Sequence, residues 1–232
     1  MTIAVPTRWL EPDDDLALTL AEYLPALEPG DTIVVSEKVA VVLTGGAVPT
    51  ASLRVGRMAQ FLATKVQPRE GSRGLSVPAK MQYVVQTLGL ARVLFAMLCA
   101  GCTRPFGHRG AFYRVAGNLA RDLDGARPPY EDVLIPPMPA REAAELCARL
   151  QDRFRVGVAV VDINDFGGSI RSTSSRSLPP AELLRILRGN PLGQRLTGTP
   201  FGIVRRVRAG ADDPGEQADD AGPVRTADAA HR

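Results

Sequence analysis

Asp162, Asn164 and Asp165 follow directly on an apolar run and precede Gly167 and Gly168. Carboxylate oxygens and an amide carbonyl are the hard donors that Mg²⁺ or Mn²⁺ takes, and such an ion commonly carries phosphates with it. The glycines let the backbone turn tightly and approach a ligand closely. The same residue types also build Asx turns by hydrogen-bonding their own backbone, so the motif reads either as a metal and phosphate site or as an acidic turn at a strand exit. Glu37-Lys38 is a second place of this kind. It sets a carboxylate for metal beside a cation for phosphate, or else forms a solvated bend between two β-branched runs. Asp122 and Asp124-Gly125 make a third acidic turn. His108 is the only histidine outside the tail and has no evident partner for general-base work, so it reads as a polar loop residue. Cys99, Cys102 and Cys147 give neither an even disulfide framework nor a ligand spacing, and read as small core residues.

These residues need elements to hold them. The run 156–161 is small or β-branched throughout, which suits a strand covered on both faces that ends where Asp162 begins, with a Ser/Thr-rich loop up to 177. An amphipathic helix through Ala143, Leu146, Cys147, Leu150 and Phe154 feeds it. Thr32 to Val35 reads as a strand after the turn Pro29-Gly30-Asp31, and a second apolar run covers 39–43. Asp13-Asp14-Asp15 cap a helix whose stripe is Leu16, Leu20, Tyr23, Leu24 and Leu27. Helical spacing also marks 54–66, a long core helix from Pro78 broken at Gly89, and a helix opened by Pro179-Pro180 with Leu183, Leu184 and Leu187 buried. Residues 111–118 read as a strand and turn, and the prolines at 128, 129, 136 and 137 bracket an extended link. Phe201 opens a last strand to 207.

The formal charge of +3 is uneven: from Arg208 onward three arginines face six acids, −3, which leaves +6 on residues 1–207. Disorder is expected in that acidic tail, 208–232, and one domain over 1–207. A mildly basic body suits anionic small molecules, whereas a nucleic-acid reader would show a Lys/Arg stripe with interleaved aromatics. The N-terminus has no signal-peptide pattern, and the most hydrophobic stretch, 93–102, is too short for a membrane span, so a cytoplasmic protein with no membrane partner is expected.

With these residues in view the chain resembles the coenzyme F420-0:L-glutamate ligase (gamma-glutamyl ligase) family, in its F420 ligase-like branch. The likeness rests on Pro29-Gly-Asp-Thr-Ile-Val-Val-Ser-Glu37-Lys38-Val, on Arg104-Pro-Phe-Gly-His through Tyr113-Arg114-Val-Ala-Gly-Asn118 to Asp124-Gly125, and on Val158-Ala-Val-Val-Asp162-Ile-Asn164-Asp165-Phe-Gly. Asn190-Pro-Leu-Gly-Gln and Thr199-Pro-Phe-Gly-Ile-Val extend it, so that it spans 16–207. The resemblance implies an α+β fold with mixed sheets and flanking helices, an intertwined homodimer, and an amide ligase that uses GTP or ATP and Mg²⁺ or Mn²⁺. In such a ligase a substrate carboxylic acid becomes an acyl phosphate, and the amine of an amino acid such as L-glutamate displaces the phosphate. It further implies metal ligands at Asp124, Asp162 and Asp165, a substrate or phosphate contact from Glu37 and Lys38, and nucleotide contacts from Arg114, Asn118, Asn164 and Gly167. Two departures stand out. The ligases carry Ser-Asp-Thr-Phe-Gly at the acidic turn and charged residues where this chain has Val41, Val42, Leu43 and Thr44. A non-catalytic nucleotide or metabolite binder, or a scaffold, is the alternative they leave open.

Overall fold

The structure, a computed structural model, describes residues 1–67, 73–108, 110–127, 130–164, 167–193 and 198–206, with the side chains of 126, 127 and 164 left aside. Asp165 and the acidic tail therefore lie outside the described residues. The architecture is α+β, with a mixed sheet and flanking helices.

In chain order the elements are β1 (Thr2–Val5), α1 (Leu16–Tyr23), β2 (Thr32–Ser36), α2 (Glu37–Leu43), β3 (Val48–Pro49), α3 (Arg57–Thr64), α4 (Pro78–Leu88), α5 (Leu90–Thr103), α6 (Ala111–Ala116) and α7 (Asn118–Asp122). They continue with β4 (Asp124–Arg127), β5 (Tyr130–Ile135), α8 (Ala140–Phe154), β6 (Gly157–Asn164), β7 (Gly167–Thr173), α9 (Pro180–Ile186) and β8 (Phe201–Val204). The larger sheet has the order β1-β8-β2-β6-β7, and the smaller one β3-β5-β4.

β2 and β6 run parallel at the centre, in register from Thr32 opposite Gly157 to Ser36 opposite Val161. Alternation explains why β6 is apolar throughout. Val158 and Val160 face a core shared with Ile33, Val35, α1, α2 and α8, while Ala159, Val161 and Ile163 face a second core with Val34 and α9. A third cluster, built on α3 to α7, packs under the smaller sheet. Asp15 caps α1 as its acids suggested, its Oδ1 accepting the Leu18 N–H at 2.8 Å.

Several expectations change. β6 does not stop at Asp162 but runs to Asn164, because β7 pairs with it and turns the expected Ser/Thr loop into a strand. The run after Glu37-Lys38 is a helix, α2, not a strand; Ala40, Val41, Val42 and Leu43 are all buried, so packing overrides β-branched propensity. Residues 111–118, also read as a strand, form α6 and the start of α7. The link between the proline pairs is extended as expected, and it pairs as the strand β5. The helix from Pro78 becomes two, bent by 114° at Gly89, and α5 leaves Leu94, Phe95 and Leu98 exposed rather than in the core. Leu184 is likewise exposed, Cys102 is exposed and Cys99 half-buried. Cys147 is buried, which pushes its thiol up to about 11 and leaves it a core residue. Among the described residues no single helix is long and apolar enough to cross a membrane.

Candidate functional site

The parallel register decides where the acids go. Ser36 lies opposite Val161, so Glu37, the next residue and the first of α2, sits beside Asp162 at the carboxyl ends of the two central strands. Glu37 continues the alternation of Ile33 and Val35, and Asp162 that of Val158 and Val160, so both point to the α8 side of the sheet. Carboxyl ends of parallel strands are where open sheets place ligands.

Glu37 is not a solvated bend. It is 4% exposed. Its Oε1 accepts the Met138 backbone N–H at 2.8 Å and lies 2.7 Å from Arg171 Nε. That Nε is buried and has no aligned hydrogen bond, so the contact is an ion pair rather than a directed bond. Both contacts fall on Oε1, and Oε2 accepts no hydrogen bond among the described residues. Burial pushes the Glu37 carboxyl above its ordinary range against the pull of Arg171 and the Met138 N–H, and the neighbouring Asp162 charge adds to the rise.

Arg171 comes from a bulge in β7. Val160 faces Ser172 and Val161 faces Ile170, so Arg171 has no opposing residue in β6 and its side chain is turned toward Glu37. Bulges re-aim side chains in this way. The same guanidinium donates from its second terminal nitrogen to Asp122 Oδ2 at 3.0 Å. Asp122 also takes Arg121 Nε at 2.8 Å. Burial works to raise the Asp122 carboxyl, but Arg121 and Arg171 outweigh it and hold it below the usual carboxylate range. Two residues on, Asp124 Oδ2 lies 2.9 Å from Lys38 Nζ, and its Oδ1 accepts the Gly125 N–H.

Glu37 and Asp122 thus meet on Arg171, Lys38 and Asp124 pair beside them on the same two segments, and Asp162 adds its charge to Glu37. Of the other residues singled out, Arg114 and Asn118 are exposed on α6 and at the start of α7, with no side-chain bond to this cluster among the described residues. Asn164 ends β6, and Gly167 opens β7 at φ 135° with nothing near its missing side chain. Gly168, rather than approaching a ligand, approaches β6: a Cβ there would lie 2.5 Å from the Asp162 carbonyl oxygen. His108 is an exposed loop residue. Arg171 is the residue that sequence reasoning missed. Its only signal is a cation, one of two with Arg176, in a Ser/Thr run that alternates weakly.

The donor chemistry fits a small dication. The Asp162 carboxylate makes no hydrogen bond or ion pair among the described residues, and its charge acts on Glu37, whose Oε2 accepts no hydrogen bond there. Mg²⁺ is commonly bound by one or two carboxylates, with phosphates and water completing its shell. Among the described residues no three acidic, His or Cys side chains gather as a metal-binding group, so this pair is what the described protein offers. No protein-family model matches the chain.

Proposed function

We propose that the chain is a nucleotide- and divalent-metal-dependent amide ligase of the F420 ligase-like kind, which activates a carboxylic acid as an acyl phosphate and joins it to an amino-acid amine. The observation that carries this reading is the placing of Glu37 and Asp162 at the carboxyl ends of the parallel strands β2 and β6, with the ion pairs of Arg171 to Glu37 and Asp122 and of Lys38 to Asp124 beside them. Phosphoryl transfer to a carboxylate needs no protein nucleophile. It needs anionic groups held close and their charge offset. Asp162 and Glu37 would hold Mg²⁺ or Mn²⁺, which would draw phosphate oxygens and a substrate carboxylate together. Lys38 and Arg121, whose side chains are 44% and 59% exposed, can turn from their acids toward GTP or ATP phosphates. Incubation with nucleotide, Mg²⁺, a panel of carboxylic acids and amino acids is expected to release phosphate only when a matching acid and amine are both present. The Asp162→Ala variant should release none, and phosphate release that is indifferent to acid and amine would contradict the ligase chemistry.

We also propose that the active form is a homodimer. On α5 only Val93 and Ala96 are buried, while Ala91, Leu94, Phe95, Leu98 and Cys102 are exposed along one uncharged stripe. Arg92 is directed away, its Nε donating to the Val115 carbonyl. An exposed apolar stripe of this kind marks an interaction surface, and a twofold axis would set it against its own copy. Sedimentation should give a dimer for the wild type and a monomer for Leu98→Asp; a monomeric wild type would overturn the assignment.

A non-catalytic binder is the second reading, and one observation favours it. Lys38, Arg121 and Arg171 are each already paired with a carboxylate, and the residues where the ligases are charged, Val41, Val42 and Leu43, are buried apolar core.

A further inference from the structure

We infer that Arg171 is the resident counter-cation of the candidate site: it holds Asp122 at the end of α7 against Glu37 at the end of β2, and it competes with a divalent cation for Glu37. The inference rests on the metal-dependent reading above and adds to it a residue that sets how tightly metal is held.

Three features carry it. First, Arg171 is placed for this contact by the backbone, since the bulge in β7 exists only at that residue and removes it from the alternation that would otherwise fix its face. Second, it bridges two separate parts of the chain. Nε meets Glu37 at the β2–α2 junction and a terminal nitrogen meets Asp122 at the end of α7, with the side chain 14% exposed. Third, the Glu37 contact is close but unaligned, leaving a buried N–H without a directed bond. At Glu37 the guanidinium is held by charge without an aligned bond, so a stronger charge at the same oxygen can displace it there while its bond to Asp122 remains.

The corner is held from its other side too. Lys80 of α4, 4% exposed, donates to the Leu123 carbonyl at 3.3 Å, between the two acids. Position is therefore kept when Arg171 moves. Without a cation between them, Glu37 and Asp122 would set two carboxylates against each other in a partly buried space, a cost that the Arg171 guanidinium offsets in the metal-free protein. A bound dication would take over that role, releasing Arg171 toward the anionic ligand the metal brings.

The test is Mn²⁺ binding to the full chain without nucleotide, read from the loss of the free-ion electron paramagnetic resonance signal, in wild type, Arg171→Met and Arg171→Lys. A neighbouring cation shifts the affinity of a carboxylate for a proton by one to three powers of ten, so Arg171→Met should bind Mn²⁺ about tenfold more tightly or better. Arg171→Lys, whose ammonium cannot bridge both acids, should fall between. Thermal melts supply the control that a structural role would not pass. In EDTA, Arg171→Met should melt below wild type, and saturating Mn²⁺ should raise it by more than it raises wild type. Equal or weaker Mn²⁺ binding in Arg171→Met would overturn this role while leaving the metal site in place. Should Arg171→Met not fold, the same order is required of Arg171→Lys, and unchanged or weaker binding there overturns it. Absence of Mn²⁺ binding in wild type and variants alike would overturn both this role and the metal-dependent ligase.

Discussion

Glu37→Ala is expected to lower stability by about 3 kcal/mol, because it leaves the Arg171 guanidinium with Asp122 alone and its buried Nε facing no charge, and the Met138 N–H without an acceptor. Glu37→Gln keeps an acceptor for that N–H and should lose only about 1 kcal/mol. The pair also separates by pH. The Glu37 carboxyl is raised above its unfolded value by burial, so its contribution is fully present below the unfolded value and is lost as pH rises through the folded one. Asp122 is held low by Arg121 and Arg171, so its contribution is present above the unfolded value and is lost as pH falls through the folded one. Urea melts across the acidic range should therefore show wild type losing stability relative to Glu37→Gln as pH rises. Parallel curves for the two proteins would show that Glu37 is not held by burial in the way its surroundings require.

Gly125→Ala is expected to cost about 3 kcal/mol or more and to weaken the site with it. Gly125 has φ 83°, and a Cβ there would lie 2.1 Å from the Val133 carbonyl oxygen and 2.9 Å from Leu134 Cα. Neither atom can give way, since both belong to the neighbouring strand β5. Relief must come from β4, and Asp124 is its first residue, ion-paired to Lys38. Denaturant melts and nucleotide binding should fall together in this variant. Wild-type stability would contradict the close packing of β4 on β5.

The parts of the fold that could be read from the sequence are those in which local pattern and tertiary role agree. The 156–161 run is apolar because both of its faces are covered, and α8 is amphipathic because only one of its faces is. Where the two disagree, pattern misleads. Val39, Val41 and Val42 are strand-like residues, yet they lie in a helix that starts at Glu37 and packs into the core. Ala111 to Ala116 include Phe112, Tyr113 and Val115, which suit a strand, but fold as α6 against α5.

The candidate site was legible in its acids and illegible in its cation. Glu37, Lys38, Asp124 and Asp162 drew notice because charges beside apolar runs must be placed somewhere. That Glu37 and Asp162 are neighbours follows from a parallel pairing between strands more than a hundred residues apart, which neither segment encodes alone. Arg171 depends on a one-residue bulge, which leaves no mark in a run of glycine, serine and threonine. Asp122 and Asp124 share one acidic turn and divide the work: one meets Arg171, the other Lys38.

The most direct test of a metal-dependent nucleotide site at Asp162 is thermal unfolding of wild type and Asp162→Ala with GTP or ATP, each with and without Mg²⁺ or Mn²⁺, against metal alone. A ligand that binds only the folded chain adds about 2.7 kcal/mol at a hundredfold excess over Kd, enough to read as a clear rise in Tm. The expected result is a nucleotide-dependent rise that requires metal and vanishes in Asp162→Ala. No shift with either nucleotide in the wild type would contradict the site, and the acids around Arg171 would then stand as the structural core of a binder or scaffold.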